Sequence, residues 1–192
     1  MTVSTPRDAL VHEIAKSIEA VAALSTVKVF RGFPEVEDFS LPSISVSASA
    51  GTIAKRRKIE IRETVLGTGK IETLYETSRR EMVGTIELWS GSKTEREPLE
   101  LALDTLFEGG QPSNYGNGSP GSVGLVLILS ALYDVKVRAL IVDKNTQDAG
   151  GARDGYFRLL YSFSASVPNV VRMEHNPATF TNTNTVSNTV EI

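Results

Sequence analysis

Two histidines, His12 and His175, are the side chains best suited to acid–base or metal chemistry near neutral pH. They stand at opposite ends of a 192-residue chain. Neither has an acidic pair at ligand spacing, so both read as surface or half-buried histidines. The segment Asp143-Lys-Asn-Thr-Gln-Asp-Ala-Gly-Gly-Ala-Arg-Asp154 places oxygen donors at Asp143, Asn145 and Gln147, with Asp154 where a calcium loop would close. Its sixth position is Asp148 instead of glycine, and strand-like sequence flanks it, so a solvated hairpin loop is the better reading. The serines include no Gly-x-Ser-x-Gly elbow, and Gly67-x-Gly69 and Gly116-x-Gly118 are too short to cradle phosphate. Cysteine is absent, which removes disulfides, thiolate metal sites and thiol nucleophiles together. The sequence therefore points to no enzyme, no cofactor and no metal.

Two basic clusters remain, Lys55-Arg56-Arg57-Lys58 and Arg79-Arg80. Four consecutive cations on a strand divide between its two faces, and Glu60 and Glu63 dilute them. A solvated strand face is the first reading, and a contact with DNA or an acidic partner is the second. The C-terminal run is of another kind. Thr or Ser occupies 179, 181, 183, 185, 187 and 189, alternating with Phe180, Asn182, Asn184, Val186, Asn188 and Val190. A period of two in β-prone, nearly uncharged residues suits a strand added to the edge of another chain, with a disordered tail as the alternative.

The elements that position these residues follow from periodicity. Thr5 as N-cap, Pro6 at the first helical position and Asp8 three residues after the cap open a helix. Its apolar stripe is Leu10, Val11, Ile14, Ile18, Val21 and Ala22, suited to packing on a sheet. Strands are expected at 27–31, 43–49 and 52–65, with a bulge near Ala54–Arg56, and the 52–65 strand should form a hairpin with about 70–77 around Gly67-Thr-Gly69. A separate strand, Met82–Trp89, should lead into a helix from about Lys93 to Phe107, with apolar positions Leu99, Leu101, Ala102, Leu103, Leu106 and Phe107. Thr94 is favoured as its cap because Pro98 limits where it can start. A long loop is expected at 109–121, and strands at 123–132, 134–143 and 155–167.

The resulting order predicts an α+β fold: a mixed, mainly antiparallel sheet with two helices on one face. One domain should span 1–167 and an extended arm 168–192. Hydrophobic residues at 41% suffice for one core, and charged residues at 22% are ordinary. A net charge of -3 gives no general pull toward nucleic acid or anionic membrane. The longest apolar run, Gly124–Tyr133, is too short to span a bilayer, and the N-terminus lacks a basic start followed by an apolar stretch, so neither membrane span nor secretion signal is expected.

The run Gly84-Thr-Ile-Glu-Leu-Trp-Ser90, then Lys93-Thr-Glu-Arg-Glu97 and Leu99-Glu-Leu-Ala-Leu-Asp-Thr-Leu-Phe107, resembles tail-terminator and head–tail joining proteins of tailed bacteriophages. The helix Leu10–Leu24, Val27-Lys-Val-Phe30 and Leu41-Pro42 before a strand are similar to that family too. The resemblance covers about the first 165 residues in element order and leaves the tail after Val167 unmatched. It implies a structural virion protein of the tail or neck, made in the host cytoplasm, that forms a ring, usually hexameric. Such a ring would cap the tail tube and join it to the head connector, with DNA passing through unbound. A different neck or tail-tube-associated role is the alternative, and a nucleic-acid-binding module using the Lys55–Arg80 region a third. The partner-binding candidates are Phe180, Asn182, Asn184, Val186 and Val190 on the arm, and Lys55, Arg56, Arg57 and Lys58 on the strand.

Overall fold

The computed structural model describes residues 5–33, 40–108, 124–147 and 156–177. Helix α1 runs Pro6–Glu19, followed by a 3-10 turn, Ala22–Leu24. Strands β1 (Lys28–Arg31), β2 (Ser43–Ala48), β3 (Thr52–Val65) and β4 (Ile71–Ser90) come next, then helix α2 (Lys93–Glu108). Strand β5 (Gly124–Leu129), a 3-10 turn (Ser130–Leu132), β6 (Val135–Gln147) and β7 (Phe157–His175) complete the described chain. The fold is α+β. The strands form one sheet in the order β1-β2-β4-β7-β6-β5, with β3 also paired to β4. The β1–β2 pair is parallel and the other described pairs are antiparallel.

The start of α1 follows its sequence signals. The Asp8 amide donates to Thr5 Oγ1 at 3.2 Å, and the Thr5 hydroxyl returns a bond to Asp8 Oδ2 at 2.7 Å. That hydroxyl bond, then Arg7, holds the Asp8 carboxyl below its ordinary pKa, as suits a carboxylate at a helix N-terminus. Leu10, Ile14 and Ile18 are fully buried, and with Leu99, Leu103 and Phe107 of α2 they join one hydrophobic cluster. The sheet contributes Ile44 and Val46, Ile86 and Leu88, and Leu159, Tyr161 and Phe163 to the same cluster. These residues occupy matching positions across the ladder (Ile44↔Leu88↔Leu159, Val46↔Ile86↔Tyr161), so both helices cover one face.

Three local expectations are corrected. First, residues 70–77 and 82–89 are not separate strands but parts of the 20-residue β4. The polar run Ser78-Arg-Arg-Glu81 reads as a break, yet Arg79 is held by Glu76 at 2.9 and 2.7 Å, and a bulge at Thr77 is tied by its hydroxyl to the Asn169 carbonyl at 3.2 Å. Second, α2 is capped by Ser92 instead of Thr94. The Glu95 amide donates to Ser92 Oγ at 3.1 Å, and Glu95 Oε2 accepts from the Gly91 amide at 2.8 Å. Pro98 sits inside the helix, which forgoes one backbone bond and continues. Third, Leu101 is 67% exposed, and it is Arg96 that is buried on this helix, paired with Glu100 at 3.5 Å.

Strand β7 continues through Pro168 to His175, paired with β4 as far as Ile71, so the division placed at 167/168 falls inside a strand. Its ladder with β6 ends at Ala139↔Ala165, so beyond that point β3, β4 and β7 form a three-stranded ribbon extending from the sheet. The irregularity expected near Ala54–Arg56 is present as register shifts between Ile53 and Lys55 and between Arg56 and Ile59.

Candidate interaction surface

The sheet face opposite the helices has two unlike halves. Near β1 and β2 it is polar and closed. Glu87 lies in the row Ser45–Glu87–Leu160 with Ser45 buried beside it. Arg158 from β7 grips Glu87 through Nε to Oε2 at 3.1 Å and Nη2 to Oε1 at 2.8 Å, and its guanidinium lies 4.9 Å from the centre of the Trp89 ring. Arg158 thus serves as a lid: one face is on the indole, and its edge neutralises a carboxylate that would otherwise be costly to bury.

Near β5 and β6 the same face is apolar and open. Leu140, Ser164 and Val83 form one cross-strand row, and Val126 and Ile128 of β5 share their side of the sheet. Val83 is 62% exposed and Ile128 48%, with Val126 and Leu140 at 36%. Arg138 and Lys136 stand opposite Val126 and Ile128 on β6, and Ser166 and Glu81, joined by a 2.5 Å hydrogen bond, lie farther along. Aliphatic side chains rimmed by charge are a surface suited to contact with another protein.

On the helix side a polar cluster locks α2 to the sheet. Lys144 Nζ lies 2.6 Å from Asp104 and 2.8 Å from Glu100, and Tyr161 donates to the other Asp104 oxygen at 2.8 Å. Phe107 packs edge-on against Tyr161 at 4.9 Å. The register explains why the lysine is there. A shift between Ile141 and Asp143 leaves Val142 unpaired and re-phases β6, so Lys144 faces α2 beside Tyr161. Unbroken alternation would have aimed Asp143 at the acidic helix. Asp104, Phe107, Lys144 and Tyr161, with Val142 and Asp143, line a cleft of about 320 Å³.

The cluster sets an alkaline limit. Burial, then the bond to Asp104, pushes the Tyr161 phenol above its ordinary 10.0. Burial opposes the Lys144 charge, but Asp104 and Glu100 outweigh it and raise that group above 10.5. Both groups hold their protons more tightly when folded, so their contribution is complete below the unfolded values and is lost as pH rises through the folded ones. Urea midpoints should stay level across neutral pH and fall above about pH 10. Tyr161→Phe should lower stability by about 1–2 kcal/mol at neutral pH and flatten the alkaline fall. An unchanged alkaline slope in that variant would show that the phenol is not its source.

A second cleft, of about 630 Å³, lies between α1 and the ends of the sheet, lined by Arg7, His12, Lys16, Arg31, Ala48 and Ser130. Its charges are mutually satisfied: Arg31 donates to His12 Nδ1 at 3.2 Å and to Glu19 at 2.9 Å, Arg7 pairs with Asp8 at 3.0 Å, and Lys16 with Glu13 at 3.7 Å. His175 pairs with Ile71 at the tip of the ribbon, in a separate part of the fold. Among the described residues no three of His, Asp and Glu come together to hold a metal. No described helix is long and apolar enough to cross a membrane.

Of the partner-binding candidates, Lys55, Arg56, Arg57 and Lys58 lie on β3, which pairs only with β4 among the described strands. Lys58 is exposed, with Nζ 4.2 Å from the centre of the Tyr75 ring on β4. Phe180, Asn182, Asn184, Val186 and Val190 lie outside the described residues, as do the loop 109–121 and most of 143–154 beyond Gln147. Sequence reasoning missed the open face and the Lys144 cluster. Hydrophobic alternation in β5 and β6 was visible, but which half of a sheet face stays open depends on what packs over it.

No family model and no curated protein matches this sequence. Among solved structures, a chain from the virion of a native gene transfer agent particle superimposes with a TM-score of 0.40 at 13% identity, covering 83% of this chain and 95% of that one. A superposition that loose leaves the function to be argued from the residues of this chain.

Proposed function

We propose that this protein is a structural virion subunit, a tail terminator that assembles into a hexameric ring, closes the tail tube and joins it to the head connector. The observation that carries the reading is the open apolar half of the sheet, Val83, Val126, Ile128 and Leu140, on a face that no described helix covers. It is supported by the resemblance over Gly84–Phe107, whose residues become the end of β4, the Ser92 cap and α2. The residues that follow β7, the outer part of the arm expected at 168–192, reach toward a neighbour. The cations Lys55–Lys58, on an outer strand beside Glu60 and Glu63, meet a protein partner, while DNA passes through the ring without specific binding.

Mass in solution tests this directly. Full-length protein should be a monomer that becomes a ring on addition of tail tube, or a ring already. Deleting 178–192 should reduce the ring form to monomers. Protein that stays monomeric with and without tail tube, in both lengths, would sink the terminator reading.

A further inference from the structure

Among the described residues the sheet has three outer strands, and they are protected very differently. Strand β1 is four residues long and carries Lys28 and Arg31. Strand β3 is broken by three register shifts and studded with charge. Short length, charge and bulges are the devices that keep an exposed edge from pairing with other chains. Strand β5, Gly-Leu-Val-Leu-Ile-Leu, has none of them: it is uncharged, contains no proline and pairs with β6 without a register shift. Among the described residues its ladder partner is β6 alone. A regular apolar edge of this kind is a template for one more strand.

We infer that the outer edge of β5 is the docking site for residues 178–192 of a second copy of this chain. The inference rests on the reading of the protein as a self-assembling subunit and names the contact that would join the copies. Three observations select this occupant. Residues 176–192 carry one charged side chain, Glu191, so the segment matches an edge that offers no charge. Its alternation places Phe180, Val186 and Val190 on one side, and in a strand added to β5 that side can continue the apolar surface of Val126, Ile128 and Leu140. Geometry favours a neighbour over the same chain. The segment leaves from beyond His175, ten residues past the last β6 partner, Ala165, and so about 30 Å along the ribbon from the β6 ladder at the strand rise. Strand β5 is six residues long, which leaves the remainder of the fifteen-residue segment as a linker.

The chain has no cysteine, so single thiols can be introduced cleanly. Full-length Ile128→Cys protein would be mixed with Phe180→Cys, Val186→Cys or Val190→Cys protein and mildly oxidised. At least one pairing should give two-chain disulfides on the order of tenfold above the control pairing with exposed Leu101→Cys, because a docked strand holds the thiols at high effective concentration. Val126→Lys should abolish that excess and lower the assembled mass. If the thiols combine only when both lie in one chain, the segment folds back on its own β5 and the inference is overturned. If rings form but no pairing exceeds the control, the inference fails while the proposed function stands. Monomers under every condition would remove both.

Discussion

Replacing Arg158 by alanine is expected to destabilise the protein by about 3 kcal/mol, near the lower end of what breaking a buried ion pair costs because the guanidinium itself is partly exposed. Glu87 keeps only 3% of its side-chain surface, and Arg158 supplies both of its short hydrogen bonds. Without that group the carboxylate faces the Thr85 hydroxyl at 3.5 Å, too far to compensate. The same change uncovers the face of Trp89, the chain's only tryptophan, so its emission should shift to longer wavelength before any unfolding. The double variant Glu87→Leu/Arg158→Met should recover most of the loss, since an apolar pair of similar volume removes the stranded charge. Urea unfolding of the three variants checks this. A single variant that costs under about 1 kcal/mol would mean the pair behaves as a surface salt bridge.

This ion pair also marks where the sequence stops being informative. Strand 82–89 alternates, and that pattern by itself puts Val83, Thr85, Glu87 and Trp89 together on the side away from the core. They do share a side, yet Glu87 is buried and Val83 is 62% exposed. What separates them is Arg158, which is distant in sequence and comes opposite Trp89 only through the β4–β7 register. Local signals gave the right answer where the physics is local: the Thr5 cap with its Asp8 partner, and the bounds and irregularity of β3. The α+β class followed from element order for the same reason. Continuity of β4 across Ser78–Glu81 was hidden because a polar run in a central strand looks like a turn until Glu76 is seen to neutralise Arg79. The re-phasing of β6 at Val142 was hidden as well. A single unpaired residue changes which of Asp143 and Lys144 meets α2, and no periodicity within β6 announces it. Pro98 misled in the other direction, since a helix in a folded protein tolerates one lost bond when Leu99, Leu103 and Phe107 bury against the sheet.

Gly84→Ala should be the most damaging alanine substitution among the described glycines, at about 2–3 kcal/mol or more for overpacking. Gly84 pairs with Ala48 of β2 on one side and Phe163 of β7 on the other, at the place where β3 succeeds β2 along β4. A Cβ there would lie 2.2 Å from the Ser47 carbonyl oxygen and 2.4 Å from Phe163 Cζ. The two contacts differ in how they can yield. The Phe163 ring could turn, at the expense of its fully buried packing, but the Ser47 carbonyl belongs to a ladder fixed on both sides by Val46↔Ile86 and Ala48↔Gly84. Backbone would therefore have to move, and β2 would separate from β4 where the sheet hands over to the ribbon. Phe163→Leu added to Gly84→Ala should relieve only the ring's share, so the double variant stays well below the sum expected from removing both contacts. Gly67→Ala is the matched control, because a Cβ there meets nothing within 4 Å. Thermal or urea unfolding of the pair of single variants decides the matter. Equal stability for the two would mean that the strands are not packed this closely at Gly84, whereas a loss confined to Gly84→Ala ties this glycine to close approach of backbone, a role no alternation of apolar residues could have disclosed.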